Sequence, residues 1–516
     1  MGGTVPPVAP DEGAGEPTTD GPGADRTAGS IRLKTATGRW IVAAAVLGSG
    51  VAFLDSTVVN AALPAISKDL GADLAALQWV ITAYLLTLGS LLVLGGSLGD
   101  LFGRRKVFVL GLAGFAVTSV LSGAAPTSGF LIVARLLQGA AAALLVPGSL
   151  AMISASFHPD DRARAIGAWS GLGGIATALG PFLGGWLIDS VSWRLVFFIN
   201  LPLAAAAMAI AIRHVPETRD DSAVRRVDVP GAVSLTLALA GVVYALIETP
   251  GRGFGGLPAI AAVVGVASGI VFFVVERRST HPMVPLVVFR SRQFSGANLV
   301  TLFVYAALGA TTFLLVVHLQ QDLGYSALEA GASLLPLTVL MLLFSTKSAA
   351  LAQRIGPRTQ MTVGPLVIAV GLVLMGRVAP GDHYASTVLP AVLVLGCGLV
   401  TTVAPLTASV LAAIDVHRVG VGSAINNAVA RVAGLLAVAV LPAAAGITSL
   451  GSDLDSQFGL AMHITAVLAA IGGVVGFVTI RRIVPVATVP RSNANEPCLG
   501  VALSSPHPTA TASAGR

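Results

Sequence analysis

Charge is scarce in this chain. Asp, Glu, Lys and Arg together make up 11% of its 516 residues, less than half the roughly 25% of ordinary soluble domains. A water-soluble fold would have almost nothing polar to cover itself with. The 54% apolar content and a mean hydropathy of +0.84 point instead to a bilayer as solvent. Cysteine is nearly missing: Cys397 falls in an apolar run and Cys498 near the C-terminus, which excludes a disulfide framework or a cysteine metal site. The sequence also lacks a phosphate-binding glycine loop, a metal-ligand cluster and a paired nucleophile and base. Catalysis and pumping by its own ATP hydrolysis are therefore not expected.

What is present is length in the apolar runs. A helix needs about 20 apolar residues to cross a bilayer, and fourteen such runs are read: 40–63, 78–98, 107–125, 129–153, 163–188, 193–212, 229–247, 255–275, 294–319, 330–350, 361–378, 387–414, 422–447 and 460–480. Their length is too great for strands. The fold class expected is an all-α polytopic membrane protein. Of the 31 Lys and Arg, 25 fall in alternate loops and in the two tails, against four (Lys68, Arg194, Arg252, Arg377) on the opposite side. That asymmetry places both termini in the cytoplasm, and makes the basic pI of about 9.7 a topology signal rather than a sign of nucleic-acid binding. Trp40, Trp79, Trp186 and Trp193 fall at span ends, where indoles favour the interface. Residues 1–38 and 483–516, rich in Gly, Pro, Asp, Thr, Ser and Ala, read as disordered cytoplasmic tails. High Ala, Gly and Val with few Lys point to a GC-rich bacterial genome.

The loop after span 2, Leu98-Gly-Asp100-Leu101-Phe-Gly103-Arg104-Arg105, aligns with the loop after span 10, Leu351-Ala-Gln-Arg354-Ile-Gly356-Pro-Arg358. This matches span 2 to span 10 if two six-helix halves, 39–212 and 293–482, flank loops and an inserted pair of spans within 213–292. Paired halves around a midplane cavity are a common transporter design.

Few charges remain within the spans. Asp55 lies about eight residues from the far end of span 1 and Arg135 about six from that of span 4, roughly 12 Å and 9 Å deep at about 1.5 Å per residue. A bare carboxylate there is costly. It is either a proton carrier biased by Arg135, which keeps its own proton, or a buried acid satisfied by Thr57 or Asn60, with Arg135 bonded to carbonyls. Gly96, Asp100, Gly103, Arg104 and Arg105 read as a turn whose acid latches an arginine or a helix N-terminus, or as a basic topology signal alone. Gly180, Pro181, Gly184 and Gly185 in span 5 form a kink with close backbone packing, either a seal or hinge or plain helix contact. Asn426, Asn427 and Arg431 make span 13 the most polar of the second half, as cavity lining or as an interhelical network. Asn60 and Gln138 are further cavity candidates, and Glu248 and His318 read as interfacial.

Together these residues resemble the major facilitator superfamily, in its fourteen-helix drug:proton antiporter branch, over about residues 40–480. The loop signature falls on Gly96, Asp100, Gly103, Arg104 and Arg105, and the helix 4 signature on Arg135, Gln138 and Gly139. The helix 5 antiporter signature falls on Gly180, Pro181, Gly184 and Gly185. The helix 1 signature falls on Leu54, Asp55, Thr57, Asn60, Ala62, Leu63 and Pro64, and the opening of helix 6 on Trp193, Arg194, Phe197, Ile199, Asn200 and Pro202. Leu101 stands where the loop signature usually has arginine, and Ala176 where the helix 5 motif usually has glycine.

The resemblance implies the major facilitator fold, two six-helix bundles plus two inserted helices. It implies efflux of hydrophobic, often cationic drugs or antibiotics across the cytoplasmic membrane in exchange for protons, with Asp55 and Arg135 in proton coupling. The partners expected are a small hydrophobic substrate, protons and the lipid bilayer, the chain acting as a monomer, with no metal and no cofactor beyond the proton gradient. Export of an endogenous metabolite, siderophore, amino acid or lipid is the alternative substrate reading. A non-transporting membrane sensor is the alternative of another class.

Overall fold

The computed structural model describes residues 2, 29, 31–219, 227–414, 419–448 and 452–481. These form sixteen α-helices: α1 Ala36–Leu70, α2 Leu74–Phe102, α3 Arg104–Gly123, α4 Ser128–Ser156, α5 Pro159–Ser190, α6 Leu195–Phe198, α7 Asn200–His214, α8 Val229–Arg252 and α9 Gly256–Arg278, followed by α10 Arg292–Gln321, α11 Ala327–Ala332, α12 Leu335–Ile355, α13 Pro357–Met375, α14 Val388–Ala412, α15 Val419–Ala444 and α16 Ser452–Thr479. Among them are 14 spans long and apolar enough to cross a membrane, and the chain is a multi-pass membrane protein. Two of these spans are broken by proline. Pro202 has no N–H for the Phe198 carbonyl, and α6 gives way to α7. Pro336 has none for the Ala332 carbonyl, and α11 gives way to α12.

Contacts gather into two bundles, α1–α7 and α10–α16, with α8 and α9 packed as a hairpin against the outside of α2 and α15. The ends bearing Arg104–Lys106, Arg277, Arg278, Arg354 and Arg358 are here termed the basic side. The loop repeat has a geometric counterpart. Gly103 (φ 105°) and Gly356 (φ 84°) each sit in the left-handed region between two helices, the first donating its N–H to Gly99, the second to Ala352. A side chain would be strained at either turn.

Residues 31–38 depart from the tail reading. Ile31 donates its N–H to Ser156, and His158 donates to Ile31. The Leu33 N–H reaches Asp161 at 3.1 Å, Arg32 pairs with Asp160 at 3.1 Å, and Thr35 caps α1 by accepting the Gly38 N–H at 3.0 Å. This short polar strip looks like tail in sequence because its partners lie 128 residues away. Residues 482–516, like Arg225, Arg226 and Arg418 of the basic loops, lie outside the described residues. His318, in the last turn of α10, is fully buried within the protein. Its ring stacks on Phe458 at 3.9 Å and its Nδ1 lies 2.7 Å from Asp322.

Candidate functional site

Asp55 and Arg135 meet inside the first bundle. Relative exposure is 0% for the carboxylate side chain and 1% for the guanidinium, and Arg135 Nη1 donates directly to Asp55 Oδ2. The depth match expected from sequence is thus realised as a direct ion pair. The other carboxylate oxygen accepts from Gln138 Nε2 at 2.9 Å and from Asn200 Nδ2 at 2.9 Å. Thr57 and Asn60 take no part: Thr57 donates to main-chain oxygens and Asn60 to Ser56. Three donors on one carboxylate are what the ionised form requires when water is excluded.

Arg135 is held from several sides. Its Nε donates to the Val80 carbonyl at 3.1 Å and Nη1 to Gln138 Oε1 at 2.8 Å. Its Cζ lies 4.3 Å from the Tyr84 ring centroid and 5.8 Å from that of Phe197, where aromatic faces attract a cation. Tyr84 in turn donates to the Ala52 carbonyl at 3.0 Å. Ser119 accepts from Gln138 at 2.9 Å and from Asn200 at 3.3 Å, so α1, α2, α3, α4 and α7 all reach the pair. Gly139 makes this possible: a Cβ there would strike the Tyr84 carbonyl and the Thr87 hydroxyl of α2. Gln138 is therefore a ligand of the ion pair, fully buried, and not the cavity-lining group the sequence suggested. Its amide is consumed by Asp55 and Ser119. Asn200 Oδ1, also buried, has no partner among the described residues. Sequence reasoning missed Ser119 and Tyr84 and named Asn200 in the opening of helix 6 without a role at this site, since single polar side chains in a span are common and only their convergence is informative.

The helix 5 motif lies on the side opposite the basic loops, where the bundles join. Pro181 leaves the Thr177 carbonyl without its helical partner, and Thr57 Oγ1 of α1 lies 3.0 Å away as donor. Gly180 and Gly184 abut Thr57 and Val58 of α1, and Gly185 abuts the backbone of Ala327 and Leu328. The Asp189 carboxylate accepts the N–H groups of Ala327 at 3.2 Å and Leu328 at 2.8 Å. Two more bonds join the bundles here: Gln320 to the Ala61 carbonyl at 3.0 Å, and Gln78 to the Val438 carbonyl at 2.7 Å, the one freed by Pro442. Toward the basic side α5 and α12 are little covered, and Ser170, Gly171 and Gly174 are exposed. The bonds between the bundles named here thus lie on the far side of the seam.

In the basic-side loop Asp100 bonds Arg104, whose Nε is 2.8 Å away, so the acid holds an arginine at the start of α3 within its own loop. Gly96 packs beside Pro147 of α4. Glu217, just after α7, ties the turn down. It accepts the Arg105 N–H at 3.0 Å and lies 3.7 Å from the Arg105 guanidinium. Arg105 also reaches the Val215 carbonyl at 3.1 Å. Leu101 bears no donor, and the latch is confined to the first bundle.

The polar group of α15 divides by face. Asn426 belongs to a network, donating to Asn298 at 3.1 Å and to Thr301 at 2.8 Å of α10. Asn427 and Arg431, one turn apart on another face, are partly exposed. Arg431 crosses the seam to the first bundle, with its Cβ against Gly89 of α2 and its guanidinium 5.7 Å from the Phe53 ring centroid of α1.

Comparison with known proteins agrees with this architecture. Residues 45–438 match the Major Facilitator Superfamily. The chain is 37% identical over 403 residues to a tetracenomycin C resistance and export protein of Streptomyces glaucescens, covering 77% of this chain and 74% of that protein. It is 36% identical over 392 residues to a puromycin resistance protein of Streptomyces alboniger, covering 75% and 78%. It is also 33% identical over 429 residues to a methylenomycin A resistance protein of Streptomyces coelicolor, covering 83% and 88%. Among solved structures, a peptide transporter POT in complex with sulfate superimposes with a TM-score of 0.62 over 87% of this chain and 96% of its own, at 13% identity, a likeness of fold alone. The chain belongs to the Major Facilitator Superfamily, in its branch of antibiotic-resistance and export transporters.

Proposed function

We propose that this chain is a proton-driven exporter of hydrophobic drugs or antibiotics, with Asp55 as the proton carrier, and that its basic side faces the cytoplasm. The observation that carries the reading is the Asp55–Arg135 ion pair, sealed from lipid and held by five helices. A carboxylate in that position is costly, and a transporter can use the cost by changing its protonation with its access. Resistance and export relatives support the direction of transport. The 25-to-4 bias of Lys and Arg supports the orientation, with both termini cytoplasmic.

In the cycle proposed, the present state is open to the cytoplasm with Asp55 ionised, and it loads drug. Rocking of the bundles separates Asp189 from α11 and opens the far side. There drug leaves and Asp55 takes a proton. The neutral carboxyl then needs an acceptor where the carboxylate needed a donor. The Asn200 amide supplies it by turning over, since its unpartnered Oδ1 lies on the same group. Arg135, released from Asp55, keeps Val80 and Gln138. The protonated protein returns inward and gives the proton to the less acidic cytoplasm. The proton gradient is the energy source, no enzymatic step is involved, and one chain contains both bundles and suffices as a monomer.

The test is efflux of puromycin, tetracenomycin C and ethidium from cells expressing the chain, with and without a protonophore. Efflux of at least one compound that stops on protonophore addition is expected. Efflux unaffected by the protonophore would reject proton coupling, and no efflux of any compound would favour export of an endogenous metabolite instead.

A further inference from the structure

The centre of the seam carries an unbalanced charge. Within the transmembrane helices Asp55 is the carboxylate at mid-depth. The other Asp and Glu of these helices (Asp69, Asp100, Asp160, Asp161, Asp189, Glu248, Glu276, Glu329, and Asp453 and Asp455 in the first turn of α16) sit at helix ends, and α3, α4, α7, α10 and α12 to α15 carry none. Asp55 is neutralised by Arg135. Arg431, in the middle of α15, has no carboxylate partner among the described residues. Its Cβ packs against Gly89 of α2 and its guanidinium lies 5.7 Å from the Phe53 ring centroid of α1, so it points across the seam. Phe53 lies 6.4 Å from Trp169 of α5, whose indole is fixed by a 2.7 Å bond to Ser49. A partly exposed guanidinium thus stands at mid-depth between the bundles beside the Phe53 ring, with Trp169 next to Phe53. An uncompensated cation there is costly and gains most from an anionic partner in a low-dielectric setting.

We propose that Arg431, Phe53 and Trp169 form the substrate subsite, and that it takes planar aromatic compounds bearing an anionic group, such as a carboxylate, sulfonate or ionised phenol, in preference to cations. This rests on the export reading above but departs from the charge preference that the family resemblance implied. The ring system stacks against Phe53 and Trp169, and the anionic group receives the fork of Arg431. Asn427, one turn toward the basic side, lies on the entry path. The energetics are consistent with export: an anion leaving a negative interior while a proton enters moves charge favourably in both halves of the exchange.

The test uses anthracene-2-sulfonate, anthracene-2-carboxamide and anthracenylmethyl-trimethylammonium as matched anionic, neutral and cationic probes. Equilibrium binding is measured on the purified full chain, and pH-gradient-driven flux of the two charged probes in proteoliposomes. The expected order of binding is sulfonate, then amide, then ammonium. Arg431→Gln is expected to weaken sulfonate binding at least about tenfold, the worth of one hydrogen bond to a charged group, while leaving the amide within about twofold. Arg431→Lys, which keeps the charge, is expected to retain most of the preference. Tighter binding of the ammonium probe by the wild type, or equal loss of all three probes in Arg431→Gln with Arg431→Lys no better, overturns the proposal. Binding in the expected order without flux of any probe would count against the export reading and leave the subsite standing. Proton-coupled flux of the ammonium probe alone would sink the subsite and leave the export reading standing.

Discussion

The two bundles treat mid-membrane charge in opposite ways. In the first, acid and base are brought together, given every hydrogen bond the carboxylate needs, and closed off by five helices. In the second, Arg431 has no acid partner among the described residues and reaches out of its own bundle into the seam. A sealed ion pair can change state by moving a proton. An exposed cation can change state only by meeting a partner. The first bundle thus holds the sealed pair and the second the open cation of the proposed subsite, whose aromatic rings Phe53 and Trp169 the first bundle supplies, and the two bundles share the glycine turn at Gly103 and Gly356.

The largest effect expected from breaking this contrast is at Asp55. Asp55→Asn should reduce proton-driven efflux to background while protein abundance and drug binding persist, as measured by flux in vesicles with a set pH gradient. Next is Arg135→Leu, which leaves a buried carboxylate unpaired and should cost about 3–5 kcal/mol of stability, read as a lowered melting temperature in detergent. The double variant Asp55→Asn/Arg135→Leu should regain most of that loss without regaining coupling. Gly185→Leu would place a side chain against the Ala327–Leu328 backbone. It should hold the far side apart, slow efflux severalfold and raise labelling of cysteines introduced into the seam from that side.

Smaller shifts sharpen the picture. Asn200→Ala removes one of the three donors to the Asp55 carboxylate and the amide oxygen proposed to receive the protonated carboxyl. Proton-coupled efflux should fall severalfold, as measured by flux in vesicles with a set pH gradient. Glu217→Gln loosens a loop bond between half-exposed groups, and the stability change should be about 1 kcal/mol or less. Unchanged efflux in Asn200→Ala would remove it from the proton site.

Much of the architecture is legible in the sequence because the bilayer imposes simple rules. Span length and the placement of Lys and Arg follow from hydration cost alone, and counting residues from the span ends was enough to put Asp55 and Arg135 at one depth. What stayed hidden depends on rotation and distance. Whether Gln138 faces the seam or the bundle interior turns on the approach of α2 permitted by Gly139. Glu217 and Asp189 act on segments far away in the chain, and the anchoring of residues 31–35 by Asp160 and Asp161 has no local signal. The splitting of Asn426 from Asn427 is a matter of a single residue's rotation about α15.

The most direct measurement is proton movement accompanying drug export in proteoliposomes, followed in weakly buffered medium for the wild type and for Asp55→Asn, together with drug exchange at equal pH on both sides. The account predicts that the wild type takes up protons as drug leaves, and that Asp55→Asn still exchanges drug but moves no protons. Proton uptake coupled to drug export in Asp55→Asn would contradict it.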